Sequence, residues 1–283
     1  MGNTESTPVN NSLRKESYNR YNWVPSFIKY NEEVIKYDTT QKDEETNYCD
    51  IRPNMNLIYN PNGNLLILSF CVYLNYLILK SNNLNPFIVS YDYINYNLTN
   101  IYNNDNSKNN FTIMIDLLKK IGFVSATENI FDNDQIREEI YNLAKNYRYI
   151  NSKKVDNDKR LIKRLLNHDI IILIGFPVYT NFESNVSFNG IINLPKENDK
   201  IIGGISGIIC GYIEKKEVFI MYIGISKKCG DRGFIYIPYD YVNKNYGSEL
   251  WILELNEDLI LMNLNDKIKK NKMINNDDYI TLF

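Results

Sequence analysis

The feature that most constrains the fold is the longest apolar run, Leu65 to Leu79. Ser69, Asn75 and the tyrosines Tyr73 and Tyr76 interrupt it, and it falls short of the roughly 20 residues needed to span a bilayer. The segment Leu65 to Lys80 is apolar nearly all round and follows a turn-forming Asn60-Pro61-Asn62-Gly63. That pattern predicts a helix buried on most faces, about which the rest of the chain packs.

On either side of this helix the chain changes character. Ile113 to Ile121 and Gln135 to Arg148 carry helix-like spacing of apolar residues, with Glu138 and Glu139 near the start of the second and Lys145 and Arg148 near its end. From Ile170 onward, Ile170 to Val178, Gly207 to Ile213, Val218 to Ile225 and Phe234 to Ile237 are β-branched and aromatic runs with Gly, Lys and Glu between them. Strands clustered in sequence do not make alternating βαβ units, so the fold class is α+β with two lobes. A chain of 283 residues can bury a core of that size, as one large domain or as two lobes sharing an interface. The expected organisation is a polar, mobile arm over 1–20, a body over 21–255 and an extension over 256–283. Within the body a helical lobe covers about 21–168 and a β-rich lobe about 169–255. The Asn-rich stretch Asn103 to Asn110 reads as a surface loop, and the Lys-rich Lys267 to Lys272 belongs to a partly helical extension.

Composition removes several function classes. A formal charge of −2, with 23% charged and 44% apolar residues, gives no global attraction to nucleic acid. Cys49, Cys71, Cys210 and Cys229 are widely spaced without a C-x-x-C pair, so neither a zinc site nor a disulfide framework is indicated, and no cofactor is expected. A reducing, intracellular setting fits those thiols, and no secretory signal opens the chain. Met1-Gly2-Asn3-Thr4-Glu5-Ser6 does match the M-G-x-x-x-[ST] pattern for N-myristoylation, which makes Gly2 a candidate lipid site. One such chain binds membranes only reversibly, and Arg14, Lys15 and Arg20 supply a thin second signal diluted by Glu5 and Glu16.

Read in order, several segments resemble a subgroup of the papain-like cysteine peptidases. Tyr21-Asn22-Trp23-Val24-Pro25 is similar to the Y-G-W-x-P that precedes the mature domain there, and Asp50-Ile51-Arg52 with Tyr59 to the D-L-R…V-Y segment. Gly175-Phe176-Pro177-Val178-Tyr179 with Phe182-Glu183-Ser184, then Gly190 to Pro195, resembles G-F-x-V-Y-x-S-F…G-x-M-x-x-P. Gly203-Gly204 with Gly211-Tyr212 resembles G-G-H-A-[VL]-x-x-V-G-Y, and Cys229 to Phe234 with Ile237-Pro238-Tyr239 resembles N-S-W-G-x-x-W-G-D-x-G-Y…I-P-Y. Order and spacing agree from about 21 to 255, which implies the papain-like two-lobed fold with a cleft between the lobes.

The family's chemistry needs a thiolate at a helix start, a base within hydrogen-bond reach and a third residue to orient that base. The resemblance puts the nucleophile slot at Ile67, the histidine slot at Ile205 and the asparagine slot at Ile223. It puts the oxyanion glutamine on Pro61, which has neither a side-chain donor nor a backbone N–H. The three isoleucines are expected to converge where the dyad would sit, either closing the cleft or leaving an apolar groove. Aliphatic side chains transfer no protons and form no acyl bonds, and His168, the single histidine, stands ahead of a strand where the family has no base. The reading is therefore a catalytically inactive relative acting as a structural, scaffolding or interaction protein, with a protein or peptide partner, membrane attachment through Gly2, and a membrane- or virion-associated location. Heavy use of Asn, Ile, Lys and Tyr, and the occurrence of such proteins in large DNA viruses and bacteria, lean toward a viral source. Two alternatives stay open: an active peptidase using a rearranged thiol such as Cys71, and a peptide-binding decoy that keeps the groove.

Overall fold

Asn64 starts the central helix. Its side-chain oxygen accepts from the amides of Leu66 and Ile67 at 3.0 and 3.4 Å, satisfying two donors that a helix start leaves open. The helix, α1 (Leu65–Lys80), keeps the bounds that its apolar run predicts. The structure, a computed structural model, describes residues 23–26, 33–40, 46–60, 63–81, 86–102, 110–148, 150–182, 190–242, 246 and 248–255. The arm with Gly2, the glutamine slot Pro61, residues 103–109 and the 256–283 extension lie outside them.

Every residue from Leu65 to Tyr76 is buried, so the polar groups in this stretch must find partners inside the protein. They do. Ser69 Oγ donates to Leu65 O at 2.8 Å, Tyr73 OH to Ile171 O at 2.7 Å and Tyr76 OH to Asp169 O at 2.7 Å. Asn75 donates to Asn56 O and accepts from Val89 N. These bonds tie α1 to chain on both sides of it and leave its β-branched residues to be stabilised by packing rather than by helix propensity.

Four further helices are described: α2 (Tyr91–Tyr102), α3 (Phe111–Ile121), α4 (Glu138–Ala144) and α5 (Lys159–Asn167). The strands are β1 (Val34–Ile35), β2 (Tyr48–Asp50), β3 (Phe131–Asp132), β4 (Gln135–Ile136), β5 (Ile150–Val155), β6 (Ile172–Tyr179), β7 (Ile201–Ile213), β8 (Val218–Tyr222), β9 (Phe234–Pro238) and β10 (Glu249–Leu255). One eight-stranded sheet runs β1-β5-β10-β6-β7-β8-β9, with β2 added alongside β7; all its pairs are antiparallel except β1 with β5. The sheet thus draws β1, β2 and β5 from residues before Ile170, outside the C-terminal runs that predict strands. The segment Gln135 to Arg148 is not one helix: Asn133 and Asp134, both at positive φ (46° and 62°), turn β3 into β4, and α4 begins only after Arg137. Asn and Asp tolerate that left-handed region better than most residues, and this turn displaces the helix start.

The core is a single cluster in which α1 lies against β6, β7 and β10 on one side and α2 on the other. A charged group links β2 to the turn before β9. Arg52 contacts Asp50 through Nε (2.9 Å) and Nη2 (2.8 Å) and reaches Asp231 through Nη1 at 2.9 Å, with its guanidinium 5.3 Å from the Phe234 ring centroid. Tyr48 and Tyr236 donate to the same two carboxylates at 2.7 and 2.8 Å. The segment before α1 is thereby fastened to the turn that precedes β9.

Candidate functional site

The three slots on described residues lie on segments that meet at the first turns of α1. Ser206, in β7, has its Oγ 3.0 Å from Ser69 Oγ and donates to Leu65 O at 3.1 Å, so the strand residue after Ile205 is bonded to the helix on both sides of Ile67. Gly224, after Ile223, has φ +70°, and a Cβ there would lie 3.5 Å from Leu68 Cδ1. Asn60 N donates to Gly224 O at 3.2 Å, which docks the chain before α1 on the same loop.

The strand register sets which way the Ile205 side chain points. Ser206 faces α1, and neighbouring residues of a strand point to opposite faces, so Ile205 points to the other face of the sheet. Tyr222 pairs with Ile208, which shares Ser206's face, and Ile223 follows just beyond the end of β8. Ile67 stands roughly half a turn round the helix from Leu65 and Ser69. Hydroxyl and backbone hydrogen bonds join these segments, and Ile67, Ile205 and Ile223 all belong to the one buried core. Relative exposure is 0% for Ile67, 0% for Ile205 and 1% for Ile223, so no solvent reaches any of the three.

No described thiol is set up as a nucleophile. Cys71 lies inside α1 and Cys210 inside β7, where Cys210 Sγ donates to Ile220 O; burial pushes both thiols far up. Burial also raises Cys229. Cys49 is half-buried and donates to Leu166 O at 3.5 Å, two residues from His168. Burial, then the carboxylates of Asp169 and Asp50, push it up to about 11, which keeps it protonated at neutral pH. His168 is exposed at the end of α5, with Nδ1 2.8 Å from Arg164 O, and among the described residues no hydrogen bond joins it to a cysteine. Nor do the described residues place three His, Cys, Asp or Glu side chains where they could hold a metal ion.

Sequence reading leaves out one element at this site, the contacts of Trp23. Its N–H donates to Gly204 O at 3.1 Å, next to Ile205, and its fully buried indole lies over Gly175 of β6. Residues 23–26 go on to reach both the sheet and the helices: Ser26 N donates to Glu249 Oε2 at 3.0 Å, and Ser26 Oγ accepts from Thr112 N at 3.3 Å. The available signal was Gly175 itself, a glycine inside an apolar strand run, which often marks close approach of another group.

No family model matches the chain. In sequence it is similar to a peptidase C1-like protein of Acanthamoeba polyphaga mimivirus, 29% identical over 201 residues, a match covering 65% of this chain and 65% of that protein, just under two thirds of its length. In structure it is similar to xylellain, a cysteine protease from Xylella fastidiosa, with a TM-score of 0.73 and 20% identity over 86% of this chain and 97% of that one. Procathepsin B S9 of Trypanosoma congolense follows at TM-score 0.58 and 11% identity, covering 81% and 86%. The Carica candamarcensis cysteine protease CMS1MS2 superimposes at TM-score 0.51 and 10% identity, covering 75% and 100%.

Proposed function

We propose that this chain, a relative of the papain-like cysteine peptidases with their two-lobed α+β fold, is a non-catalytic member that acts by binding. The observation that carries the reading is the chemistry of its site: solvent-excluded isoleucines at positions 67, 205 and 223, and a single histidine whose ring nitrogen lies against Arg164 O at an exposed helix end, with no hydrogen bond to a thiol among the described residues. A peptidase of this type needs an accessible thiolate beside a base, and burial raises all four thiols instead. Packed in this way, the isoleucines add to stability rather than to chemistry. A protein partner, attachment through a myristoyl group on Gly2 and a large-DNA-virus source complete the proposal. The mimivirus relative and the Asn-, Ile-, Lys- and Tyr-heavy composition support the last point, and the M-G-x-x-x-[ST] start supports the second. Among the described residues no helix is long and apolar enough to cross a membrane, so any attachment through them would be peripheral.

The test is covalent labelling of the full chain with a thiol-directed epoxide probe, read by intact mass. No adduct is expected. A stoichiometric adduct on one cysteine, accompanied by turnover of a fluorogenic peptide, would make the protein an active peptidase with a rearranged thiol.

A further inference from the structure

Trp23 to Ser26 precede the strands and helices of the body and touch both the sheet and α3. The indole sits with no exposed surface, 6.3 Å from the Phe111 ring centroid of α3, which in turn lies 5.8 Å from Phe70 of α1. Beneath it, Gly175 is shaped as a socket. This glycine is in the middle of β6 without a positive φ, so its backbone does not require glycine. A Cβ at that position, however, would overlap the Cε2, Nε1 and Cζ2 atoms of the indole. A strand-interior glycine weakens the strand, and here the cost is offset by making room for a tryptophan.

The backbone contact is equally specific. Gly204 is partnered in the ladder by Pro177, which has no N–H to give, and β8 pairs with β7 only from Ile208 onward. Gly204 O therefore has no donor within the sheet on either side, and the N–H of Trp23 supplies one. Two carboxylate and hydroxyl contacts, to Glu249 and from Thr112, fix the segment's far end.

We infer that the junction of sheet and helices is a binding site for an extended peptide that carries a tryptophan, and that Trp23–Ser26 is its ligand supplied in cis. Recognition consists of an indole in the Gly175 socket, a backbone N–H on Gly204 O and a polar residue three positions later between Glu249 and Thr112. The functional use of such a site rests on the binding reading above; its existence rests on the contacts alone.

Hydrogen exchange on the unmodified full chain tests it first. A bound ligand leaves without unfolding its receptor, so the amides of Trp23 and Ser26 are expected to exchange at least tenfold faster than ladder amides of β6 and β7. Equal rates would make the segment ordinary core and overturn the inference. The second arm adds the hexapeptide Tyr-Asn-Trp-Val-Pro-Ser to Trp23→Ala and follows binding by calorimetry. Saturable binding is expected, lost when the peptide's tryptophan is alanine and lost again in the Trp23→Ala, Gly175→Val double variant. A folded Trp23→Ala protein that ignores the peptide overturns the inference, and if that variant does not fold, the exchange rates decide. Cleavage of the hexapeptide would refute the non-catalytic reading while leaving the binding site in place.

Discussion

Replacing Ile67 by alanine removes about three carbons from a side chain with no exposed surface. At ~0.8 kcal/mol for each buried methylene the transfer loss is about 2.4 kcal/mol, and the cavity left in a close-packed region brings the total to about 3–4 kcal/mol. With a urea m-value of about 3 kcal/mol/M for a chain of this size, the unfolding midpoint falls by about 1 M. Ile205→Ala and Ile223→Ala are expected to behave alike, since their burial is the same. Ile191→Ala is the control: Ile191 is 37% exposed, and its truncation costs about 0.5 kcal/mol or less. Urea titrations followed by far-UV circular dichroism measure all four. Midpoints for the three slot variants within error of the control would mean that the isoleucines line an open groove, and the packing argument would fail.

Other expectations concern charge, thiols and the terminus. Arg52→Ala strands the partly buried carboxylates of Asp50 and Asp231 and is expected to cost about 1–3 kcal/mol, with Arg52→Lys, which loses the fork but keeps the charge, in between; urea midpoints read both. Burial alone would raise Asp50, but hydrogen bonds from Arg52 and Tyr48 outweigh it and hold the carboxyl low, while Asp231 is held low chiefly by Tyr236 and then by Arg52. Their contribution is therefore complete above an unfolded-state pKa of about 4 and is lost as pH falls through the depressed folded values. A thermal midpoint flat from about pH 5 to 8 that drops below about 4 is expected, with a shallower drop in Arg52→Ala; an unchanged profile in that variant would count against the network. Alkylation at pH 8 should leave Cys71 and Cys210 unmodified until urea unfolds the chain and should modify Cys49 slowly, by peptide mass mapping. Expression with an N-myristoyltransferase should add one myristoyl group to the full chain and none to Gly2→Ala; an unmodified or acetylated wild-type terminus would remove the anchoring proposal.

Much of the architecture is readable from residues because local and tertiary preferences agree there. Leu65 to Lys80 is found with correct bounds because a stretch apolar nearly all round follows a turn-forming Asn60 to Gly63 and ends at a charged Lys80. The β6, β8 and β9 runs are found for the same reason, with ends displaced by up to three residues, while β7 starts at Ile201, well before the Gly207 that opens its apolar run. β5, Ile150–Val155, is not readable: Asn151, Ser152, Lys153 and Lys154 look like loop, and they form a strand because β1 and β10 flank them. The hairpin at Asn133-Asp134 is hidden inside a helix-like spacing. At the site, residue identity is plain in the sequence, but side-chain direction is not. Placing Ile205 on the face away from α1 requires the strand register, and seeing Gly175 as a socket requires knowing that a segment more than a hundred positions earlier returns to it.

The central claim is that this papain-like body does not cut peptides. Digestion of a proteome-derived peptide library by the full-length protein at neutral and mildly acidic pH, with neo-termini counted by mass spectrometry, measures that directly. The account predicts neo-termini no more numerous than with buffer, both in the wild type and after substitution of all four cysteines by serine. A reproducible set of cleavages that disappears when one cysteine is replaced would contradict it.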